Sequence, residues 1–178
     1  MLKKVTYREA MNLWKRPSRI VLAVSGDERD NSNIIVLGWK MQTSIDPPMV
    51  AISVGKTRYS HSLLLRSGEF VLAIPGGNLA EEVFYCGTHS GRDVDKFKET
   101  NLTAIPASKV KPPLIKECIA NIECKIVGNL DTGDHTIFVG EVQANWVSGE
   151  GQKNLLSIGQ DAEYKVMLDK KGRRFGVM

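Results

Sequence analysis

The sequence predicts a mainly β protein, built as an antiparallel barrel with short helices on its flanks. At least six segments have the apolar alternation or the short apolar runs of strands, and few segments have helical periodicity. Because the strands are not regularly interleaved with long helices, a doubly wound parallel sheet is the weaker alternative. No repeat or linker divides the 178 residues, so a single domain over 1–178 is expected.

The first half of the chain predicts two helices and three strands. Residues 5–14 have helical spacing, and Pro17 ends that helix. A second helix is predicted within 57–70, where Gly68 is expected to form the C-terminal cap. The strands predicted in this half are 20–24, 33–42 and 49–54.

The second half predicts three more strands and two short helices. Asn78 is expected to cap a helix over 78–87, and Asp93 is expected to cap one over 93–100. The strands are predicted at 70–76, 118–130 and 135–147, the last two joined by the hairpin turn "DTGD". Together with the first half, this gives the six strands of the expected barrel.

Composition and charge exclude several classes of protein. The net charge of +4 comes from 24 Lys and Arg against 20 Asp and Glu, and the cations are scattered, so nucleic acid is not an expected partner. No stretch approaches the roughly 18 apolar residues of a membrane span. The start, "MLKKVTYREAMNLWKRP", lacks the apolar core of a signal peptide. A cytoplasmic protein without membrane contact is therefore expected.

The three cysteines, Cys86, Cys118 and Cys124, are expected to be free. An odd count without a secretion signal argues against a disulfide framework, and the absence of a CxxC motif argues against zinc or an iron–sulfur cluster. Cys118 and Cys124 alternate with apolar residues in "CIANIECKI", which predicts that they share one buried strand face. No metal site is predicted.

The segment "ISVGKTRYSHSLL" places a strand, a glycine turn and a helix start in succession, which favours an anion at the helix N terminus. Lys56 and Arg58 add positive charge, and Thr57 and Ser60 add hydroxyl donors. "GKT" matches the end of a P-loop, but the first glycine of that motif would fall at Val50, so a nucleoside triphosphate is not predicted. A single phosphate fits; the alternative is that Thr57 or Ser60 only caps the helix.

The motif "CGTHSGRDVDKF" (86–97) is richer in glycines and hydrogen-bond donors than a plain surface turn needs. Gly87 and Gly91 permit close backbone approach. Further donors to the same anion or to a neighbouring one are supplied by Thr88, Ser90, Arg92 and Lys96. The motif therefore predicts a ligand-binding flap, with a capped loop carrying a surface ion pair as the alternative.

A third candidate surface lies in "GWKMQTSIDPPMV". Trp39 offers a flat apolar face, and Gln42, Thr43 and Ser44 offer hydrogen bonds beside it. Such a combination fits a planar heterocycle with a polar edge. The alternative is that Trp39 belongs to the core and that the polar residues form a turn.

Four segments together resemble the flavin reductase-like family of FMN-binding, flavoredoxin-like split barrels. They are "WKMQTSIDPPMVAISV", "KTRYSHSLLLRSGEFVLAIPG", "CGTHSGRDVDKF" and "GDHTIFVGEV", and their order and separation over about residues 20–147 also resemble the family's. The resemblance implies a six-stranded Greek-key barrel that forms a homodimer and binds FMN near the subunit interface. The tail, residues 148–178, lies outside the matched segments and is expected to pack on the barrel or at the dimer interface.

By the same resemblance, particular residues would surround the cofactor. Thr43 and Ser44 would lie along the isoalloxazine edge, with Trp39 and Gln42 nearby. The residues expected to meet the phosphate are Lys56, Thr57, Arg58 and Ser60. Those expected to close over the flavin or its phosphate are Cys86, Gly87, Ser90, Gly91 and Lys96. His135 resembles a family histidine beside the flavin or the incoming nicotinamide, and the alternative is an ordinary hairpin residue.

The resemblance implies an oxidoreductase of the flavin reductase type, which passes a hydride from NADH or NADPH to FMN and electrons onward to an acceptor. Since the sequence has no GxGxxG motif, the nicotinamide would bind transiently over the flavin rather than in a Rossmann site. Two alternatives remain open. One is a flavoredoxin-like electron carrier reduced by a redox protein, and the other is a non-catalytic barrel that binds flavin or haem.

Overall fold

An antiparallel sheet of seven strands forms the centre of the fold. The computed structural model describes residues 2–26, 31–149, 153–158, 165–170 and 173–177, the last two segments chiefly by their backbone. The α-helices are α1 (Tyr7–Trp14), α2 (Tyr59–Ser67), α3 (Ala80–Thr88) and α4 (Lys96–Glu99). The strands are β1 (Ser18–Arg19), β2 (Val21–Gly26), β3 (Ser32–Leu37), β4 (Lys40–Ser44), β5 (Met49–Gly55), β6 (Glu69–Ile74), β7 (Ala104–Ile105), β8 (Leu114–Ile115), β9 (Ala120–Thr132), β10 (His135–Val147), β11 (Leu156–Ser157), β12 (Lys165–Lys170) and β13 (Arg173–Val177). The prediction of a mainly β, antiparallel protein with short flanking helices is confirmed.

The order of the strands shows how the sheet closes. The seven strands lie in the order β3-β2-β6-β9-β10-β5-β4, so β3 and β4 are at opposite ends. Only Gly38 and Trp39 separate these two strands along the chain. The two edges of the sheet must therefore meet, and the sheet curls into a barrel. At the link between β3 and β4, which we call the seam, Ser53 N on β5 donates a hydrogen bond of 3.0 Å to Trp39 O and continues the β4–β5 pairing.

The sheet has seven strands rather than the predicted six because the segment predicted as one strand, 33–42, forms two. β3 pairs with β2, whereas β4 pairs with β5. The interruption at Gly38 and Trp39 allows the chain to leave one edge of the sheet and join the other. The remaining predicted strands are present with shifted ends, and β9 begins at Ala120 rather than at Cys118.

Two apolar clusters lie on the two faces of the sheet. One contains Phe70, Phe138 and Leu64 of α2, which packs against the inner side of the barrel. The other contains Leu79 and Val83 and lies under α3. Because successive residues of β2 alternate between these clusters, the whole strand is buried. Each fully buried side chain of this kind contributes roughly 1.5–3 kcal/mol to folding.

The helix boundaries confirm one predicted cap. Gly68 has φ of 65° and forms the C-cap of α2, a left-handed conformation that glycine adopts without a steric penalty. A capping box between Thr6 and Glu9 begins α1, and it was not predicted from the sequence.

Two other predicted caps are wrong. Asn78 lies inside a 3₁₀ turn (Gly77–Leu79), so that α3 follows Leu79 without a side-chain cap. Asp93 does not cap α4, because the helix begins at Lys96 and its N-cap is Asp95. The Asp95 side chain accepts hydrogen bonds from the backbone N–H groups of Phe97 and Lys98.

All three cysteines are buried and free, as predicted. The expectation that two of them share one strand face is wrong, since Cys118 lies in the cluster under α3 and Cys124 in the barrel cluster. Burial raises the pKa of the Cys86 thiol to about 11 and the pKa values of Cys118 and Cys124 to about 12. These thiols are therefore protonated near neutral pH.

Part of the tail packs on the barrel of its own chain. β11 pairs with β1 and with β13. Leu155 and Phe175 are buried in the cluster under α3. No helix in the described ranges has the length and apolar character required to cross a membrane.

Candidate functional site

A cavity of about 460 Å³ opens beside the barrel and is the first candidate site. Its volume lies within the roughly 300–1,000 Å³ that is typical of small-molecule sites. We call it the polar cavity; it is lined by β3, Trp39, Ser53, Gly55, residues 57–60, residues 86–92, Lys96 and His135. The two segments that the sequence predicts to bind an anion, 52–64 and 86–97, therefore converge here.

The charged side chains in the described lining of the polar cavity are cationic. Arg58, Arg92 and Lys96 line it, and no Asp or Glu is found among the described residues of its lining. The Arg92 guanidinium lies over the Tyr59 ring, 5.5 Å from the ring centroid. A concave surface with several cations and no carboxylate attracts an anionic ligand.

The start of α2 adds hydrogen-bond donors to the polar cavity. The Arg58 N–H donates to Gly55 O at 2.9 Å, which closes the turn between β5 and the helix. The N-cap is Arg58, and no side chain caps this end, so the alternative role of Thr57 or Ser60 as a capping residue is wrong. Because the first-turn N–H groups of a helix have no partner within the helix, they favour an anion at this position.

Lys96 holds two walls of the polar cavity together. Its side chain is 4% exposed, and its Nζ donates hydrogen bonds of 2.6 Å to Ile34 O on β3 and to Cys86 O in α3. Desolvation lowers the pKa of Lys96, although the neighbouring Cys86 partly offsets this. The resemblance assigned Lys96 to the ligand, whereas two of its three N–H donors are committed to the protein backbone.

Two aromatic rings in the lining of the polar cavity lie close together. The centroids of Trp39 and His135 lie 4.6 Å apart, with 35° between the ring planes. His135 Nδ1 is 2.7 Å from Asp134 Oδ1, and this bond lowers the pKa of the Asp134 carboxyl below its usual value. The imidazole is therefore fixed in orientation beside the exposed indole.

A second, more apolar cleft of about 850 Å³ adjoins the polar cavity. The two share Val36, Gly38, Trp39 and Ser53. We call the second one the apolar cleft; its other walls include Tyr7 and Trp14 of α1, Met41, Ile137 and Phe175. Trp39 lies on the boundary between the two.

The structure brings together most of the residues predicted from the sequence. Those lining the polar cavity are Trp39, Thr57, Arg58, Ser60, Cys86, Gly87, Ser90, Gly91, Lys96 and His135. Gln42, Thr43 and Ser44 do not line it, because they lie on β4 beyond the seam, where the Gln42 side chain donates to Ser44 O at 3.4 Å.

Lys56 also lies outside the lining of the polar cavity. Its Nζ pairs with Asp131 Oδ2 at 3.2 Å on the neighbouring hairpin. Asp131 in turn accepts a 2.7 Å hydrogen bond from Thr136, whose hydroxyl is 2.8 Å from His61 Nε2. The Lys56 ammonium is therefore directed toward the β9–β10 hairpin rather than toward the start of α2.

Sequence reasoning missed several lining residues, chiefly Asn33, Ser53, Tyr59 and His89. Asn33 is 5% exposed on β3, and its Nδ2 donates a 2.7 Å hydrogen bond to Ser60 Oγ. The sequence feature that could have identified Asn33 is its position as a polar residue at the start of the apolar run "IIVL". His89 stacks on Tyr85 with centroids 3.9 Å apart at the outer rim. Within the described ranges, His, Cys, Asp and Glu side chains form no group suited to a metal ion.

Comparisons with known proteins give the chain its context. The sequence profile described as "Flavin reductase like domain" matches residues 14–168, which extends beyond the predicted 20–147 at both ends. An uncharacterized protein of Archaeoglobus fulgidus is 43% identical over 126 residues, which are 71% of this chain and 70% of the relative. A Streptomyces globisporus protein named NADH-dependent FAD reductase is 32% identical over 111 residues, 61% of this chain and 60% of that protein.

A solved structure has the same architecture. The crystal structure of flavoredoxin from Methanosarcina acetivorans superposes with a TM-score of 0.78 at 26% sequence identity. The superposition covers 97% of this chain and 94% of the other. The two folds therefore agree over nearly the whole chain.

Proposed function

The chain belongs to the flavin reductase-like family, and from this premise we propose that it is an FMN-binding oxidoreductase of the flavin reductase type. NADH or NADPH is the proposed hydride donor, and the electrons pass to a further acceptor. Support comes from the family match over residues 14–168 and from the relative named NADH-dependent FAD reductase. The polar cavity is the proposed cofactor site.

The observation that carries the proposal is that the lining of the polar cavity combines groups suited to a phosphate with groups suited to a planar ring system, the two parts of FMN. Part of the lining combines Arg58 and Arg92 with the N terminus of α2, and the described lining has no carboxylate, which suits a phosphate group. The Trp39 and His135 rings also line it and suit contact with a planar ring system.

Specific residues would hold the cofactor. Arg58, Ser60 and Thr57 would bind the phosphate, with Ser90 and Arg92 from the facing segment closing over it. A bound flavin supplies hydride acceptance at its N5 atom and onward electron transfer. The protein does not need a general acid or a nucleophile for such a reaction, and the residues of the polar cavity serve to bind, to orient and to exclude water.

His135 is proposed to position the hydride donor rather than to transfer a proton. Its Nδ1 is engaged by Asp134 at 2.7 Å, and its ring lies against the exposed face of Trp39. The imidazole and the neighbouring indole provide an aromatic surface for a nicotinamide that arrives and leaves. Gln42, Thr43, Ser44 and Lys56, which lie away from the polar cavity, are not included in the proposed site of the single chain.

A homodimer is proposed for the assembly. No residue of α1 is buried, and Leu13 and Trp14 are 88% and 78% exposed. Trp14 also lines the apolar cleft, together with Met41 and Trp39. Large apolar side chains around a cleft are the kind of surface that a second subunit covers. Such a dimer would bring the second chain next to the Trp39 edge of the polar cavity.

The test is anaerobic mixing of the FMN-loaded protein with NADH or NADPH while the flavin absorbance is followed. Free FMN with the same nicotinamide is the control. Bleaching much faster than in the control is the predicted result for a reductase. Loaded protein that no nicotinamide bleaches, but that a reduced redox protein does, would contradict the nicotinamide donor and support the electron carrier.

The electron carrier is kept as the second candidate because the likeness to flavoredoxin extends over nearly the whole chain. A chain that retains FMN but is reduced by neither class of donor would contradict both redox functions. It would leave the non-catalytic binding barrel as the best description.

A further inference from the structure

Asn33 and Ser60 form a buried pair in the wall of the polar cavity. They come from β3 and from the first turn of α2, and their side chains are 5% and 2% exposed. Asn33 Nδ2 donates a 2.7 Å hydrogen bond to Ser60 Oγ. Nothing in the sequence motifs connects these two residues, which are 27 positions apart.

The direction of this bond fixes the role of the serine hydroxyl. Because the amide N–H is the donor, the Ser60 oxygen is the acceptor and its own proton is not used in the pair. Within the described residues this proton has no protein acceptor. It is therefore available to an oxygen atom of a ligand at the N terminus of α2.

Gly91 determines which way round the Asn33 amide lies. A Cβ at position 91 would be 2.0 Å from Asn33 Oδ1, so the hydrogen that glycine carries there is directed at this oxygen. A C–H group tolerates a carbonyl oxygen, whereas the reversed amide would place N–H groups against the C–H. The glycine therefore keeps Nδ2 on the side of Ser60.

The cost of this arrangement indicates a purpose beyond packing. Asn33 Oδ1 is buried and has no hydrogen-bond partner among the described residues. An unpaired buried amide oxygen is unfavourable, and an apolar side chain of similar size would fill the same space without it. A structural role alone does not account for an asparagine at this position.

We infer that Asn33 is a positioning residue that holds the Ser60 hydroxyl as a hydrogen-bond donor to the phosphate group of the bound ligand, with Gly91 as the residue that makes room for it. The inference rests on the proposed function and adds a specificity element to it. The polar cavity would then distinguish a phosphorylated flavin from an unphosphorylated one through a residue that need not touch the phosphate.

The experiment measures dissociation constants for FMN and for riboflavin by quenching of flavin fluorescence. The proteins are the wild type, N33A, S60A and the N33A/S60A double variant. We expect each single variant to weaken FMN binding by about tenfold, since a hydrogen bond to a charged group is lost or misdirected. The double variant is expected to be no weaker than S60A, because Asn33 acts through Ser60. Riboflavin binding should change by less than about twofold in all variants.

Gly91→Ala provides a second route if N33A does not fold. In the wild-type background the added methyl should displace Asn33 and weaken FMN binding, with riboflavin again little affected. In N33A the steric conflict is absent, so the same change should have no further effect. Additive losses in the double variant, or equal losses for FMN and riboflavin, would overturn the inference while leaving the proposed function intact. A wild type that binds no FMN would overturn both.

Discussion

The ammonium group of Lys96 donates a 2.6 Å hydrogen bond to the carbonyl oxygen of Cys86, and an equal one to Ile34 O. The lysine thus connects the last turn of α3 to β3 and fixes the distance between two walls of the polar cavity. In the described part of the chain, it forms no ion pair with a carboxylate. Its contribution is therefore structural as well as electrostatic.

Lys96→Met should lower the free energy of unfolding by about 2–4 kcal/mol, because two buried carbonyl groups lose a charged donor. Urea denaturation followed by circular dichroism measures the change. Lys98→Met is the matched control, since Lys98 is exposed and forms only a surface pair with Asp95 at 3.1 Å. The control should change stability by less than about 0.5 kcal/mol. Equal effects of the two substitutions would contradict the role assigned to Lys96.

Arg58 and Lys56 should differ sharply in their effect on FMN binding. Arg58→Ala removes a cation from the polar cavity and should weaken FMN binding by at least about tenfold. Lys56→Ala breaks a partly exposed pair with Asp131 and should change it by less than about threefold. Flavin fluorescence titration of both variants decides the matter. A larger loss for Lys56→Ala would show that the phosphate lies toward the hairpin instead.

Glu123 provides a prediction for the dependence of stability on pH. Its carboxylate is fully buried and accepts hydrogen bonds from Ser108 N at 3.0 Å, Trp146 Nε1 at 2.7 Å and Lys109 N. Desolvation is the largest single influence and opposes ionisation, but these hydrogen bonds together hold the pKa of Glu123 below its usual value. Since the folded-state pKa is lower than the unfolded one, the stabilisation is complete above the unfolded pKa and is lost as the pH falls through the folded one.

Glu123→Gln should therefore lower the free energy of unfolding by about 2–3 kcal/mol at neutral pH. The difference from the wild type should shrink as the pH falls below about 4. Urea denaturation over a pH series, read by tryptophan fluorescence, measures both effects. Glu117→Gln is the control, because Glu117 is only half-buried and its carboxylate accepts one backbone hydrogen bond, from Thr103. A difference that stays constant down to acid pH would contradict an ionised Glu123.

The exposed side of α1 is where the proposed dimer is most easily tested. Trp14→Glu should convert the dimer to monomers, because it places a charge among the apolar side chains of the interface. Sedimentation equilibrium over a range of protein concentrations gives the mass. Leu65→Glu, on the exposed side of α2, is the control and should leave the mass unchanged. A wild-type protein that is monomeric at every concentration would contradict the proposed dimer.

The sequence was sufficient for most of the fold because apolar alternation and glycine position are local signals. Gly68 ends α2 where predicted, and the β9–β10 hairpin follows from two alternating runs around a turn. The break at Gly38 and Trp39 was not predictable in the same way. Both flanking segments have strand character, and only the pairing of each with a different neighbour shows that there are two strands.

The part of the site that was predicted also depends on local sequence signals. In segments 52–64 and 86–97, cationic and hydroxyl side chains lie close together in the sequence, and residues of both segments line the polar cavity. Asn33 was missed because a single asparagine beside an apolar strand has no local signature, and its meaning depends on Ser60, 27 residues away. Lys56 was included because charge and proximity in sequence favoured it, whereas the direction of its side chain is set by Asp131 on the hairpin.

The central claim is that the polar cavity binds FMN, and a direct titration of the purified apoprotein with FMN tests it. We predict that flavin fluorescence is quenched to an end point of one FMN per chain, with a dissociation constant of about 1 μM or lower. Riboflavin, which lacks the phosphate, should bind at least about tenfold more weakly because it leaves Arg58 and the start of α2 without an anion. Fluorescence that is unchanged at FMN concentrations well above this range would contradict the assignment of the polar cavity as a flavin site.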